Sequence, residues 1–239
     1  MGRSTAIPSV SDVDLLVELP ASVYHQFNAY AGNKQSSFLT AVRSAIQTTY
    51  PSSSISGDGQ VVVISFNDNV TYEVLPAFLG DMGGYIFADT NDGGSWKSCW
   101  PKQEMKAFAD RDAACNKNLV ELSRMVRAWR DTNNVPMNGM LIDTLAYQFI
   151  NTWSYRLKSY LYYDYMTRDF FNFLANQNTE QTYWLAPGSN SYVRRKGAFE
   201  YKARQAELRA LEAIAYQNAG QDWSAKQKYK AIYGTSFPD

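Results

Sequence analysis

Ser11–Pro20 reads Ser-Asp-Val-Asp-Leu-Leu-Val-Glu-Leu-Pro and is the most informative segment for predicting the fold. Val13–Leu19 is an apolar run of β-favouring residues that ends at a proline, which predicts a buried strand. Side chains two residues apart on a strand point to the same face, so Asp12 and Asp14 project together from its start. Two carboxylates held that close repel each other unless a cation neutralises them, and hard oxygen ligands suit Mg²⁺ or Mn²⁺.

An antiparallel hairpin is predicted beside this strand. Its first strand covers Val61–Phe66, Asn67–Asn69 makes the turn, and the second strand covers Val70–Ala77 and is broken by Pro76. The second strand carries Glu73. A third carboxylate on an adjacent strand would complete a site for two metal ions about 3.5–4 Å apart, the arrangement used for phosphoryl and nucleotidyl transfer.

The acidic pair has a simpler interpretation, because an Asp-x-Asp pair is common on protein surfaces and usually marks a solvated strand end. Three neighbouring features favour the metal site instead. They are a Gly/Ser/Thr-rich segment upstream, an apolar strand directly after the pair, and an acidic residue on a strand that follows a hairpin turn. In such a site one ion would hold a triphosphate and the other would lower the pKa of an attacking hydroxyl.

The other elements predict an α+β fold with two lobes. Helical spacing over Ser36–Tyr50, with Ser36 and Ser37 as caps, predicts a helix, and Gly80–Ser98 is predicted to be a loop with a short strand at Tyr85–Ala88. In the second half, helices are predicted at about Asp110–Arg130, Gly139–Tyr163, Phe199–Asn218 and Asp222–Gly234. The boundary falls near residue 100, which gives a strand-rich lobe at 1–100 and a helical lobe at 101–239.

Charge and composition argue against several classes of protein. Among 239 residues, 23 Lys and Arg balance 23 Asp and Glu, so no extended nucleic-acid surface is expected. Cys99 and Cys115 lack metal-ligand spacing, and the single histidine, His25, argues against a His-rich metal site and a Ser-His triad. No apolar run reaches the roughly 20 residues of a membrane helix, and no signal-peptide core follows Met1, so we expect a cytoplasmic protein without membrane contact.

Three segments resemble the polymerase-β-like nucleotidyltransferases. Gly2–Asp14 is similar to their core motif, Glu73–Ala77 to the strand with their third carboxylate, and Arg124–Trp129 to a motif on their spine helix. Within that superfamily, the chain most resembles the group of bacterial cyclic di- and trinucleotide synthases, animal cyclic GMP-AMP synthase and oligoadenylate synthases. Similarities around 95–101 and 187–238 extend the resemblance over nearly the whole chain.

This resemblance implies a two-lobed nucleotidyltransferase with its active site in the cleft between the lobes. The enzyme would join NTPs, such as ATP, into a cyclic or linear oligonucleotide second messenger and release pyrophosphate, as in bacterial anti-phage defence. Asp12 and Asp14 would bind two Mg²⁺ or Mn²⁺ ions, and Glu73 would complete the metal site and help to activate the acceptor hydroxyl. A regulatory protein partner is also implied.

The resemblance further implies nucleotide contacts from Ser4, Thr5 and Ser11, and from Arg127, which stands where the family has a triphosphate-contacting Lys. Arg keeps the positive charge but spreads it over a planar fork. At the start of the next long helix, many relatives have a Ser-Tyr pair that stacks a base. This chain has Gly139-Met140 there, so base stacking would be weaker or supplied by another residue.

One family feature has no counterpart, namely a Gly-Ser pair that supplies N–H and hydroxyl donors to the triphosphate. Met1 stands about where the residue after that pair belongs, so we expect an N-terminally truncated sequence, through a late start assignment, the choice of a fragment or a genuine loss. This leaves open a catalytically impaired nucleotide-binding module. The other alternative is a nucleotidyltransferase that modifies a protein, an RNA end or a small molecule, which product mass would distinguish from a synthase.

Three further features support less specific interpretations. Trp129 and Trp153 are expected in the helical core. Arg194–Lys196 is either a solvated helix start or a contact to phosphate or a partner. Tyr160–Tyr165 is too rich in tyrosine for a single apolar face, which leaves both a cleft lining and a partner surface open.

Overall fold

The computed structural model describes residues 2–7, 12–66, 70–235 and 237–238, with Asp12 described by its backbone alone. The chain divides into two units. Ser9–Lys102 forms the strand-rich unit, and Gln103–Asp239 together with Met1–Pro8 forms the helical unit. The boundary lies close to the position expected from the sequence, but the first segment groups with the helical unit rather than with the strand-rich one.

The strand-rich unit is built on a six-stranded sheet. Its strands are β1 Asp12–Leu19, β2 Ser54–Asp58, β3 Val61–Ser65, β4 Thr71–Leu79, β5 Tyr85–Asp89 and β6 Ser95–Cys99. Neighbours in the order β2-β3-β4-β5-β6 are antiparallel, and β1 lies parallel to β4. The predicted first strand, the hairpin beside it and the short strand at β5 are therefore confirmed, while the predicted turn Asn67–Asn69 lies outside the described residues.

Contrary to prediction, β4 continues through Pro76 without a break. Residues 71–74 of β4 pair with β3, and residues 77–79 pair with β5 on the same edge. Pro76 falls in the gap between these two partners, so its missing N–H removes no rung from either ladder. On the opposite edge of β4, Pro76 is in register with Val17 of β1.

Two strands were not predicted because their sequences do not alternate between apolar and polar residues. β2 reads Ser-Ile-Ser-Gly-Asp and β6 reads Ser-Trp-Lys-Ser-Cys. Each becomes a strand by pairing with an apolar neighbour, β2 with β3 and β6 with β5. Strand formation here is decided by the pairing partner more than by local propensity.

Two helices cover one face of the sheet, α1 Ala21–Asn28, which was not predicted, and α2 Lys34–Thr49. Phe38 of α2 is completely buried and packs in one cluster with Phe78 of β4. The predicted caps Ser36 and Ser37 are wrong, because Asn33 caps α2 by accepting a hydrogen bond from the backbone N–H of Ser36 at 2.9 Å.

The helical unit contains α3 Pro101–Ala114, α4 Asn118–Asn133, α5 Gly139–Thr152, α6 Tyr163–Ala175, α7 Glu200–Asn218 and α8 Asp222–Tyr233, and the strand pair β7 Tyr183–Leu185 and β8 Tyr192–Arg194. Trp129 and Trp153 lie in one buried cluster of this unit, which confirms the prediction that they belong to the core. Among the described residues, no helix is long and apolar enough to cross a membrane.

Each of the two long helices predicted in this unit is interrupted. Asn116 and Lys117 adopt φ angles of 53° and 64°, and a carboxylate oxygen of Asp112 accepts the backbone N–H of Val120 at 3.0 Å, so α4 starts anew after a turn. The second predicted helix ends at Thr152, and a single 3₁₀ turn at 160–162 precedes α6. The dense tyrosines thus belong to a turn and a new helix, not to one continuous helix.

Candidate active site

β1 and β4 bring the predicted acidic residues to one face of the sheet. Asp14 is in direct register with Glu73, and Asp12 is in register with Thr71. Neighbouring strands lie about 4.8 Å apart, and residues in register point to the same face. The positions of Asp14 and Glu73 are therefore adjacent, as expected for a hairpin strand that lies beside the first strand.

Packing on the other face of β4 fixes the direction of Glu73. Val74 is 6% exposed and packs with Val62 and Ile64, and Tyr72 contacts the same cluster. Successive side chains of a strand point to opposite faces, so burial of Tyr72 and Val74 turns Glu73 to the other side. A slip of one residue would bury the carboxylate and expose the apolar side chains, so the hydrophobic pattern holds the register.

The two described carboxylates are accessible, with Asp14 exposed and Glu73 half-buried. Their oxygens are the ligand type that Mg²⁺ and Mn²⁺ prefer. The side chain of Asp12 lies outside the described residues, and among those described no group of three or more His, Cys, Asp or Glu is placed to hold a metal ion. The described core of the site is therefore the pair Asp14 and Glu73.

The prediction that β1 is a buried strand is wrong for one of its faces. Val13, Leu15 and Val17 are 38%, 41% and 41% exposed. On the other face, Leu16 packs against the cluster around Ala77. The helices α1 and α2 pack in hydrophobic clusters with residues of β3, β4 and β5. Among the described residues, they do not cover the first half of β1.

A buried ion-pair network organises the predicted nucleotide contacts of the helical unit. Asp143 of α5 is 2% exposed. Its carboxylate accepts hydrogen bonds from Arg127 Nη1 at 2.7 Å and from Arg3 Nη1 at 2.9 Å. The hydroxyl of Thr5 donates to the same carboxylate at 3.4 Å, so the N-terminal segment is anchored to α5.

Arg127 is held by three hydrogen bonds. Besides Asp143, its guanidinium donates to the carbonyl oxygens of Ser123 and Gly139, each at 3.2 Å. The side chain is 10% exposed. A Cβ atom on Gly139 would lie 3.0 Å from Arg127 Nη2, so a glycine leaves room for the guanidinium at the start of α5.

The other predicted contacts are less close to this network. Ser4 is exposed with a φ of 59°, and its carbonyl oxygen accepts a hydrogen bond from Arg124 Nε at 3.1 Å. Met140 is half-buried and packs against the helical core, whereas Ser11 lies outside the described residues.

Sequence reasoning missed Asp143 and Arg3. A signal was present, because Asp143 is the one charged residue in the apolar start of α5, Gly-Met-Leu-Ile-Asp. A carboxylate on a buried helix face requires a cation or several hydrogen bonds. The sequence could therefore have predicted that a basic residue lies opposite, but it could not have named Arg3 or Arg127 as the partner.

The sheet face that carries Asp14 and Glu73 lies within a stretch that matches a family model. Residues 1–112 match the model of the Second Messenger Oligonucleotide or Dinucleotide Synthetase domain. This part of the chain, just under half of its length, is similar to that family. The synthetase domain includes Asp12, Asp14 and Glu73, and the predicted resemblance to NTP-using nucleotidyltransferases of the cyclic-oligonucleotide synthase group is confirmed.

The fold is shared with solved bacterial proteins. CdnC of E. coli MS115-1, in its complex with HORMA-deltaN, matches with a TM-score of 0.68 and 14% identity over 99% of this chain and 81% of that chain. Vibrio cholerae DncV cyclic AMP-GMP synthase, in complex with the linear intermediate 5' pppA(3',5')pG, matches with a TM-score of 0.71 and 11% identity, covering 98% of this chain and 66% of that chain.

At these identities the likeness concerns the fold, and it confirms the predicted two-lobed α+β nucleotidyltransferase fold around the synthetase domain. The chain spans just under two thirds of the length of several of the DncV chains it matches. No curated protein matches it in sequence.

Proposed function

We propose that this chain catalyses metal-dependent joining of NTPs into a cyclic or linear oligonucleotide second messenger. The observation that supports this most is the direct register of Asp14 with Glu73, with Asp12 two residues earlier, inside a second-messenger synthetase domain. A ribose hydroxyl would attack the α-phosphate of an NTP. The new O–P bond forms as the bond to the bridging oxygen of the β-phosphate breaks, and pyrophosphate leaves in line.

Asp12, Asp14 and Glu73 are the residues that would hold two Mg²⁺ or Mn²⁺ ions. The donor set fits hard divalent cations, because it consists of carboxylates at adjacent positions of paired strands. Carboxylates so placed repel one another and are stabilised by a cation. Bound ions would supply charge stabilisation at the phosphates and would acidify the attacking hydroxyl.

We propose different roles for the two described carboxylates. Asp14 is exposed near the start of β1, where it can reach a ligand without disturbing the core. Glu73 is half-buried in the middle of the sheet, and its backbone is fixed on both edges by β1 and β3. We assign to Glu73 the acceptance of the proton that leaves the ribose hydroxyl, because its position is the more rigid one.

On the helical unit, Arg127 remains the proposed contact to the β- and γ-phosphates. A guanidinium carries five N–H donors, and the hydrogen bonds of Arg127 to described residues use three of them. Arg3 brings a second guanidinium to the same carboxylate, and the segment that carries it also carries Ser4 and Thr5. Met140 packs against the core, so we expect base recognition to come from other residues.

A regulatory protein partner and a role in bacterial anti-phage defence complete the proposal. CdnC was solved as a complex with HORMA-deltaN, which supports a protein partner for a chain with the same fold. Bacteria expressing the chain should resist phage better than bacteria expressing the Asp14→Asn variant. Equal plaque counts for the two strains would contradict the defence role without affecting the proposed chemistry.

The chemistry is tested by incubating the purified chain with all four NTPs and Mg²⁺ or Mn²⁺. Pyrophosphate release and product masses are followed together, since only a synthase makes oligonucleotides from NTPs alone. The Asp14→Asn variant should lose product formation while its melting temperature stays within about 1–2 °C of wild type, because Asp14 is exposed.

Asp92→Asn is the matched control, since Asp92 is also an exposed aspartate of the strand-rich unit and lies away from β1 and β4. It should retain full turnover. Undiminished turnover in Asp14→Asn would overturn the assignment of the site. Nucleotide binding without pyrophosphate release by the wild-type chain would instead support the binding module.

A further inference from the structure

A cleft of about 760 Å³ opens in the helical unit, away from the Asp143 network. Its walls come from α4, the turn 160–162, α6, α7, α8 and the C-terminal residues 237–238. Small-molecule sites in proteins have volumes of about 300–1,000 Å³ and mostly apolar walls with a few polar groups. The cleft has this size, and neither the proposed chemistry nor the synthetase domain match at 1–112 uses it.

Aromatic rings form the inner wall and are held in place. Phe237 stacks on Tyr229, with ring centroids 5.4 Å apart, and on Tyr233, with centroids 6.2 Å apart and an interplanar angle of 17°. The hydroxyl of Tyr233 shares a hydrogen bond of 2.8 Å with Thr167 Oγ1. The hydroxyl of Tyr229 donates to the side-chain oxygen of Gln217 at 3.3 Å. The wall therefore presents flat faces in fixed orientations, which suits a flat ligand.

The charged groups of the cleft are acidic. Among the described residues that line it, Glu121 and Asp164 are charged and neither Lys nor Arg occurs. Two cations lie nearby but are engaged, since Arg124 pairs with Glu121 at 2.8 Å and Arg168 pairs with Asp169 at 2.7 Å. Asp164 forms no ion pair among the described residues, although the charge of Arg168 also acts on it, so Asp164 is the carboxylate with which a ligand can pair.

The tyrosines add no positive charge either. Burial raises the pKa of Tyr163, Tyr229 and Tyr233, so their hydroxyls stay protonated and neutral at physiological pH. Their ring faces are electron-rich and attract cations. A triphosphate, by contrast, would meet carboxylates and no basic side chain, so the cleft does not suit an NTP.

At the rim, Tyr160 and Leu161 are 73% and 71% exposed. Exposed apolar residues next to an apolar cleft extend the surface that a ligand can bury. Tyr160 and Tyr163 of the tyrosine-rich stretch both line this cleft.

We propose that the cleft is a second ligand site, which binds an organic cation with a flat aromatic body. The aromatic body lies against Phe237, the half-buried ring that stacks on Tyr229 and Tyr233, and the positive charge faces Asp164. The site is independent of the nucleotidyltransferase chemistry. Helix α4 contributes Met125 and Ala128 to the cleft and Arg127 to the Asp143 network, so one helix serves both.

Two fluorescent dyes test the proposal on the purified chain. Thioflavin T is a flat aromatic cation, and anilinonaphthalene sulfonate is an aromatic anion. We expect one thioflavin T per chain, bound at least tenfold more tightly than the anion. The Asp164→Asn variant should raise the dissociation constant for thioflavin T roughly fivefold, with Asp110→Asn, an exposed aspartate on α3, as the unchanged control.

Ala128→Phe, which fills the cleft from α4, should abolish binding, and its circular dichroism spectrum should match wild type. If that variant fails to fold, the Asp164→Asn result alone decides, because a half-buried carboxylate can lose its charge without loss of fold. ATP should not displace thioflavin T. Displacement by ATP, equal binding of both dyes, or no effect of Asp164→Asn would overturn the proposal.

Discussion

Asp143→Ala should destabilise the helical unit more than any surface substitution. The carboxylate is 2% exposed and accepts hydrogen bonds from two guanidiniums, at 2.7 Å from Arg127 and at 2.9 Å from Arg3. Removing it leaves Arg127, whose side chain is 10% exposed, with a buried and uncompensated charge. Breaking a buried pair in this way costs about 3–5 kcal/mol.

The second guanidinium adds less to this cost. Arg3 is 21% exposed and also lies 3.7 Å from Glu104, so water and a second carboxylate compensate for part of the loss. For a chain of this size, 1 kcal/mol shifts the melting temperature by about 2–4 °C. Asp143→Ala should therefore melt roughly 6–20 °C below wild type. The loss comes from the charge left behind, so Arg127→Met/Asp143→Leu, which replaces the pair by apolar side chains, should recover most of the stability.

Calorimetry of wild type, Arg127→Met, Asp143→Leu and the double variant gives the coupling energy between the two residues. Hydrogen exchange of peptides from α4 and α5 shows whether the loss is located there. Asp131→Ala is the matched control, since Asp131 lies on α4 and pairs with Arg130 at 2.6 Å but is 48% exposed. It should change stability by less than about 0.5–1 kcal/mol. An Asp143→Ala variant within 1 kcal/mol of wild type would show that the unpaired charge of Arg127 costs little. A double variant no more stable than Asp143→Ala would also contradict the expected cost.

Two further predictions concern backbone strain and pH. Gly188→Ala should destabilise the fold by at least about 2–3 kcal/mol in denaturant titrations. Gly188 has a φ of 83°, and a Cβ there would clash with the carbonyl oxygen of Gln103. Gly220 has a φ of 70° but open space around it, so the control Gly220→Ala should cost only about 1 kcal/mol. The ion pair with Lys97 and the backbone N–H of Asn91 lower the pKa of Asp89 from 3.8 to about 2. The stabilising contribution of Asp89 is therefore present above pH 4 and is lost as the pH falls towards 2. The Asp89→Asn variant should lose less stability than wild type in that pH window, and an unchanged acid transition would contradict this.

The acidic site could be predicted from the sequence because its geometry is local. Alternation along β1 determines the face of Asp14, and alternation along β4 places Glu73 opposite the apolar Tyr72 and Val74. The one non-local requirement is the register of β1 with β4, and the hydrophobic pattern of both strands constrains it. The motif and the fold therefore indicate the same residues.

The helical unit was harder to predict because its elements depend on tertiary contacts. The break between α3 and α4 depends on Asn116 and Lys117, which adopt positive φ although neither is a glycine. The strands β7 and β8 are three residues each and pair only with one another among the described residues. Short strands of this kind leave too few residues for any periodicity to be seen.

Arg127 shows most clearly what a sequence motif cannot predict. Its likeness to a phosphate-contacting lysine is visible in the sequence. Its buried partner Asp143 belongs to another helix, however, and the second guanidinium on that partner comes from Arg3, 140 residues away. Arg127 reaches Asp143 and two carbonyl oxygens from two nitrogens of a planar fork, whereas the donors of a lysine all lie on one nitrogen. In this chain the arginine therefore has a structural reason to be present even without nucleotide. Its part in the chemistry must be read from substrate affinity measured in variants whose stability is known.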